Sequence, residues 1–423
     1  MRRSCILFRQ PAKLVNKYIP PSERAIREYK KYQEEKNRKQ KYGKYIQYGV
    51  LSLVGSAVLM YYWQPWNPYS TDVSKELRKG LWEERDGKDD YLNALKHYQL
   101  ALKQSQAEGM DQLSLKYTGI VLKIAEMYEH LNMMDKLIGT YHNLSNFIFE
   151  HLIRNNIDKE NPERDLLIDR DLIVITRWSM LRQKSKDKDW KNEIQTEIRD
   201  RMEFIENYEL TERLPWLQIK DKDSEFNIFE LMDIWAFRKN KLFNKEELKK
   251  QWIDKHVQSK DGQEFLKCWD LFRSYEKKEW PVWISSYLKL RDYFGMFELS
   301  TGNSLNAIKI LQSNIIWLTI AGIEDAVNGP TQFLNLASAW FQYGQSANSP
   351  KAYKNSELIY KKLISIVNQE DPILPITYYS LGVLYLQTNR RDDALRAFDT
   401  AKSKAVDLDQ IQIIDKIDDE LLK

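Results

Sequence analysis

Apolar residues recur at three- and four-residue spacing through most of this chain, with little of the strict alternation that marks strands, so the pattern predicts helices almost throughout. In QEFLKCWDLFRSY, for example, Phe265, Leu266, Trp269, Phe272 and Tyr275 fall on one side of a helix. One run breaks this rhythm. Residues 46–63, IQYGVLSLVGSAVLMYYW, hold no charged side chain and would rise about 27 Å as a helix, close to the hydrocarbon thickness of a bilayer. Ile46, Val50, Leu53, Val54, Val58, Leu59 and Trp63 mark this candidate transmembrane helix. Tyr45 and Tyr48 at one end, and Tyr61, Tyr62, Trp63 and Trp66 at the other, stand where amphipathic rings favour headgroups, and Pro65 and Pro68 stop the helix beyond. Gly49, Ser52, Gly55 and Ser56 form a small-residue face open to a second membrane helix or simply to lipid. A buried core helix is the competing reading, but core helices rarely carry aromatic girdles at both ends.

Charge changes the picture by giving the run an orientation. Residues 1–44 carry 14 Lys and Arg against 4 Asp and Glu, while the remainder carries 51 against 57, so the near-neutral total hides two polarities. Arg2, Arg3, Arg9, Lys13 and Lys17 precede the first acid, Glu23, which is the composition of a mitochondrial targeting segment. Basic flanks stay on the negative side of an energised membrane, which predicts a single-pass inner-membrane protein with residues 1–44 in the matrix and its body in the intermembrane space. The rival is an endoplasmic reticulum signal anchor, for which the sequon Asn143-Leu144-Ser145 is the one hint. Two cysteines, Cys5 and Cys268, fall on opposite sides of the run and offer no disulfide framework.

A repeat emerges near the C-terminus. ITYYSLGVLYLQTNRRDDALRAFDTAKSKA sets Tyr378, Leu381, Gly382 and Tyr385 on one helix and Ala394, Phe398 and Ala401 on the next, matching the helix-turn-helix unit of about 34 residues found in tetratricopeptide repeats. Gly382 and Ala394 are small where the helices should cross; Leu381, Tyr385 and Phe398 should fill the space between repeats. Upstream the pattern returns in weaker form: Gly80 with Ala94, Tyr98 and Ala101; Tyr128 and Tyr141, 13 residues apart; Gly295 and Ala307, 12 apart; and Ala337, Trp340, Ser356 and Tyr360. Four to six degenerate repeats follow from these spacings, against the alternative of an irregular helical domain with one genuine repeat. The predicted fold is all-α, a degenerate tetratricopeptide-like helical repeat array with one N-terminal transmembrane helix. Its segments are a basic targeting arm (1–44), the membrane helix and aromatic flanks (45–66), N-terminal repeats (71–155), a charged, Trp-rich helical region (156–285) and C-terminal repeats (286–423). In the Trp-rich region Trp216, Trp235, Trp252, Trp269, Trp280 and Trp283 read mainly as packing residues, with a binding groove as the second reading, and KSKDKDWKNE and QIKDKDSEFN read as loops.

Candidate chemistry is sparse. There is no phosphate-binding glycine loop, no H-E-x-x-H zinc helix, no G-x-S-x-G elbow and no C-x-x-C pair. His97, His130, His142, His151 and His256 lack ligand-like spacing, so neither a metal nor a cofactor is expected. The basic run REYKKYQEEKNRKQKYGK suits anionic lipid beside the anchor, and the acidic body argues against nucleic acid.

The order of basic arm, single anchor, WQPWNPYSTDVSKELRKGLWEERDGKDDYLNALKHYQLAL and degenerate repeats resembles the fungal adaptor subunit of the mitochondrial i-AAA protease, or a close paralogue, over roughly residues 45–423. Its most distinctive residues are Asn67, Pro68, Tyr69, Ser70, Leu77, Gly80, Leu92, Ala94, Leu95 and Tyr98, with the terminal repeat from Tyr378 to Ala401. The resemblance implies a noncatalytic protein that joins the protease and its other adaptor subunit in the inner membrane. It also implies binding and delivery of unfolded or damaged polypeptide clients. A membrane-anchored receptor or assembly factor without protease involvement is the alternative. An unrecognised membrane enzyme is a third, for which no residue is nominated.

Overall fold

Helix boundaries in this chain follow short-range chemistry. The computed structural model describes residue 31 and residues 69–154, 161–185, 189–211, 227–239, 280–322 and 329–422. The predicted membrane run 46–63 lies outside these residues, as do the arm apart from Lys31, the 265–275 stripe, both cysteines, His256, most of QIKDKDSEFN, and Trp216, Trp252 and Trp269. Among the described residues every regular element is helical, and no helix is long and apolar enough to cross a membrane. The chain divides after Ser70 into two units, and all the elements below belong to the second, Thr71–Lys423.

The helices are α1 (Thr71–Glu84), α2 (Tyr91–Ala107), α3 (Leu115–His130), α4 (Met134–Ile153), α5 (Pro162–Ser185), α6 (Trp190–Phe204), α7 (Ile228–Lys239), α8 (Ile284–Ser300), α9 (Ser304–Ala321), α10 (Gly329–Ala347), α11 (Pro350–Ile366), α12 (Leu374–Gln387), α13 (Arg391–Asp407) and α14 (Ile411–Leu422). Asp90, Ser114 and Ser349 cap α2, α3 and α11 by accepting the amide of the residue three positions on, and Pro350 opens α11 where its missing N–H costs nothing. The turns share one chemistry. Asp89, Asn132, Asp189, Gly302, Asn348, Asn389 and Asp409 each adopt a left-handed backbone between consecutive helices, a conformation open mainly to Gly, Asn and Asp. Met133, Asn303, Ser349, Arg390 and Gln410 then donate their amides to the carbonyls of Tyr128, Glu298, Gly344, Tyr385 and Ala405, each five residues back, closing the helix end.

Six hairpins result among the described residues: α1/α2, α3/α4, α5/α6, α8/α9, α10/α11 and α12/α13. Each second helix packs on the first helix of the next hairpin: α2 on α3, α4 on α5, α6 on α8, α9 on α10 and α11 on α12. First helices also touch in succession, α3 to α5 to α8 to α10 to α12, and so make one continuous face. Helices α5 and α6 form a hairpin that joins α4 to α8, and Lys184, Ser185 and residues 190–193 of KSKDKDWKNE are helical where a loop is predicted. Helix α7 rests on the second helices α9 and α11, and α14 covers α12 and α13.

Close crossings depend on missing side-chain atoms. A Cβ on Gly80 would stand 2.6 Å from the Tyr98 ring, one on Gly295 would stand 2.8 Å from Leu311, and one on Gly382 would stand 2.5 Å from Phe398. In each hairpin the large residue comes one helical turn after a fully buried alanine, namely Ala94, Ala307 and Ala394. Phe398 therefore fills the space inside its own hairpin, over Gly382, and Gly295 meets Leu311, one turn after Ala307. In α10/α11 Ser356 takes the small position and donates to the Ala337 carbonyl at 2.8 Å, while the Tyr360 hydroxyl meets Ser338 at 3.1 Å.

Candidate interaction groove

Helix α5 has apolar residues all round it, as expected of a helix with neighbours on most sides. Leu167, Ile168, Leu172, Ile175 and Trp178 are buried, yet Leu166, Ile173 and Met180 stay 42%, 54% and 39% exposed. These three stand seven residues apart, about 10 Å of helix rise per step, and so form one solvent-facing stripe. The stripe floors a groove of about 800 Å³ walled by Leu115, Leu122, Glu126 and Glu129 of α3, Tyr141 of α4, and Ser286 and Lys289 of α8. The groove thus lies on the face made by successive first helices. Arg170 and Arg177, interleaved with the stripe, reach across it: Arg170 donates to the Leu115 carbonyl at 2.8 Å and to Thr118, and Arg177 pairs with Glu129 at 2.5 Å. Asp169 accepts from Ser286 at 2.6 Å on the other wall.

Buried charges fix the floor in place. Arg201 of α6 bonds Asp171 at 2.9 Å, Glu197 at 2.7 Å and Ser145 at 2.9 Å, and its guanidinium lies 4.3 Å over the Phe149 ring. Ser145 also donates to Asp171, so the serine of the sequon is buried in this network. Burial pushes the Asp171 carboxyl up, against the pull of Arg201 and Ser145. For Glu197 burial acts in the same direction, but hydrogen bonds from His142 and Arg201 bring its carboxyl below the ordinary value. After α6 the chain makes a π-turn, Ile205–Leu210, whose Glu209 pairs with buried Arg164 at 2.5 Å and whose Glu206 accepts from Tyr287 at 2.6 Å and from Arg291. Helix α5, the floor of the groove, and helix α8, one of its walls, are thereby held to one short segment.

A second depression of about 590 Å³ lies farther along, where Ser338, Phe341, Gln342, Gln345, Tyr379, Ser380 and Val383 of α10 and α12 are its principal lining. No charged residue lines it. Its uncharged polar walls offer hydrogen bonds without an ionic anchor.

The residues singled out by repeat spacing sit away from both sites, with two exceptions. Tyr141 lines the first groove and Tyr360 lines the second. Gly80, Ala94, Tyr98, Gly295, Ala307, Leu381, Gly382, Tyr385, Ala394, Phe398 and Ala401 are buried. Tyr128 and Tyr378 are partly buried, and Tyr128 accepts from Gln99 of α2 at 3.2 Å. Trp235 and Trp283 are buried, and Trp280 packs edge-on to Trp317 at 6.3 Å. His97 pairs with Glu76 at 2.7 Å, His142 stacks on Trp178 at 4.8 Å, and His130 stacks on Tyr91 at 4.2 Å. Among the described residues no group of three or more His, Cys, Asp or Glu could hold a metal ion. The Leu166, Ile173 and Met180 stripe was not legible from periodicity, because the apolar residues between them hide it; its seven-residue spacing beside two arginines was the available signal.

No family model matches the chain. The chain is 25% identical over 424 aligned residues to a Saccharomyces cerevisiae (strain ATCC 204508 / S288c) protein described as Protein MRG3-like, covering 89% of this chain and 86% of that one. It is 32% identical over 133 residues to the mitochondrial inner membrane i-AAA protease supercomplex subunit MGR3 of the same yeast, a stretch covering 30% of this chain and 26% of that one. Solved structures include the TPR2AB domain of yeast Sti1 in complex with an Hsp90 peptide (12% identity, TM-score 0.26, covering 82% of this chain and 96% of that one). A tetratricopeptide repeat protein from Parabacteroides merdae ATCC 43184 gives 12% identity and a TM-score of 0.27, covering 82% and 99%. Yeast Tom70 gives 14% and 0.25, covering 84% and 66%. The chain is thus similar along most of its length to one yeast protein and over about a third of it to a yeast i-AAA protease subunit, and the resemblance read from its sequence, to that adaptor or a close paralogue, stands on both matches.

Proposed function

We propose that this chain is a noncatalytic adaptor of the mitochondrial i-AAA protease. Residues 46–63 anchor it once in the inner membrane, the basic arm lies in the matrix, and the helical stack stands in the intermembrane space. There the groove over Leu166, Ile173 and Met180 receives apolar segments of unfolded or damaged proteins, which the adaptor passes to the protease beside its other adaptor subunit. The partial similarity to a named protease subunit and the basic arm support the setting. The observation that carries the binding role is the stripe itself: three large apolar side chains left open on a helix otherwise packed on most sides, as in grooves that take apolar peptide faces. Arg170 and Arg177 are occupied across the groove, which leaves its floor apolar and tolerant of sequence.

Ile173→Glu/Met180→Glu tests this reading. Burying each side chain against a client is worth about 1.5–3 kcal/mol, so the double variant should retain a photo-crosslinkable destabilised client at least about tenfold less well. Its melting temperature should stay close to that of the parent, because both positions face solvent. Client retention equal to the parent would sink the groove reading. The second reading, a precursor receptor or assembly factor without protease involvement, is favoured by one observation: the match spanning most of the chain is to the MRG3-like protein, whereas the match to the protease subunit is partial. Purification of the tagged chain from detergent-solubilised mitochondria separates the two, since recovery of clients without the protease supports the second.

A further inference from the structure

Helix α1 has two faces of opposite character. Val73 and Gly80 are buried on the side of α2, while Lys75, Arg78 and Trp82 follow one another along the opposite, exposed side, with Arg85 just past the helix end. Trp82 is 57% exposed, the Arg85 guanidinium lies 3.6 Å over its ring, and exposed Leu81 stands beside it. Three of the four acids of α1 are held by other partners, and the fourth, Asp72, is exposed in the first turn. Glu76 is bonded by Lys79 at 2.6 Å and His97 at 2.7 Å, Glu83 by Lys88 at 2.5 Å, and Glu84 by Lys123 of α3 at 2.9 Å. What faces outward is cationic around an indole and a leucine. Charges of this kind suit phosphate headgroups, and the two apolar side chains suit the boundary just beneath them.

Chain length supplies an independent constraint. Residues 64–70 alone separate the end of the predicted membrane run from Thr71. Seven residues reach at most about 25 Å, so α1 begins within that distance of the end of the predicted run, and its length of about 21 Å can lie along the headgroups.

We propose that the exposed face of α1, carried by Lys75, Arg78, Trp82 and Arg85, rests on the anionic headgroups of the bilayer that holds the anchor. The first hairpin is then a lipid-contacting foot. This inference rests on the anchor reading of residues 46–63.

The test uses the full chain, with Cys5→Ser and Cys268→Ser and a fluorescent label on Trp82→Cys. It is reconstituted in vesicles of phosphatidylcholine alone or mixed with phosphatidylglycerol. Headgroup-region spin-labelled lipid should quench the label strongly in the anionic vesicles and weakly in the neutral ones. Lys75→Glu/Arg78→Glu should abolish the difference, and a label on Val406→Cys, 67% exposed on α13, should not respond to lipid charge. A label on Leu81→Cys repeats the measurement, and circular dichroism checks that each variant keeps its helices. Equal or absent quenching at both positions, in a chain that still resists alkaline extraction, overturns the foot and leaves the anchor standing. A label shielded from aqueous iodide but untouched by lipid quencher also overturns it, since a protein then covers the face. Release of the chain at alkaline pH overturns the anchor and the foot together.

Discussion

Gly382 and Gly139 both lie within helices, yet their surroundings give them opposite roles. A Cβ on Gly382 would come within 2.5 Å of Cε1 and 2.7 Å of Cδ1 of Phe398, a ring that is itself buried and has nowhere to go. Gly382→Ala is therefore expected to destabilise by about 1–3 kcal/mol, the usual cost of overpacking. Around Gly139 nothing stands within 4 Å, and Gly139→Ala should stabilise by about 0.5–1 kcal/mol because alanine loses less backbone freedom on folding. Chemical denaturation of the two variants measures the contrast directly. Equal effects would mean that the Gly382 crossing relaxes freely. The special position of Gly382 was legible in sequence because Ala394, Phe398 and Ala401 follow it at repeat spacing, but that its partner is Phe398 of the same hairpin required the fold.

At the scale of elements, α5 and the π-turn after α6 form the hub. The Arg164 to Glu209 pair is almost fully buried, 1% and 0% exposed at the side chains, and ties residues 45 positions apart. Removing one partner strands a buried charge, so Arg164→Met should cost about 3–5 kcal/mol, whereas Arg164→Met/Glu209→Leu should recover most of the loss. A double-mutant cycle by urea unfolding reads the coupling, and additive losses would contradict it. None of this was legible in the sequence. Arg164 and Glu209 look like ordinary surface charges on amphipathic helices, and only the convergence of α4, α5 and the π-turn removes them from water. The same convergence packs α5 against its neighbours and leaves the Leu166, Ile173 and Met180 stripe open.

Across the whole molecule, pH acts through carboxylates shifted in both directions. Glu357 is partly buried, which raises its pKa, but hydrogen bonds from Lys361 and Arg390 outweigh that and hold it below its ordinary 4.5; Glu197 is lowered in the same way by His142 and Arg201. A depressed folded-state pKa contributes stability above the unfolded value, and that contribution is lost as pH falls through the folded value. Stability should accordingly be level near neutrality and begin to fall as pH drops below about 4.5, with Glu357→Gln flattening part of the decline. Asp171, raised by burial, works in the opposite sense, and its proton uptake partly offsets the loss. Thermal melts from neutral pH downward check the window, and a decline that begins well above it would assign the acid sensitivity to other groups.

Local rules decided a great deal before any tertiary contact formed. Helical spacing, the Asn, Asp and Gly residues at the turns, the Ser and Asp caps and the small-large repeat around Gly382 and Phe398 all act over a few residues, so the sequence alone determined an all-helical chain with recurring hairpins. The uncharged run and the basic arm likewise define its two polarities by composition. Which charges are buried, which apolar side chains of α5 stay open, and which face of α1 carries its bases depend on neighbours that arrive from tens of residues away. Burial is a property of the assembled stack, because a side chain loses water only when another helix takes its place, and that is why the groove and the ion pairs beneath it belong to the tertiary structure alone.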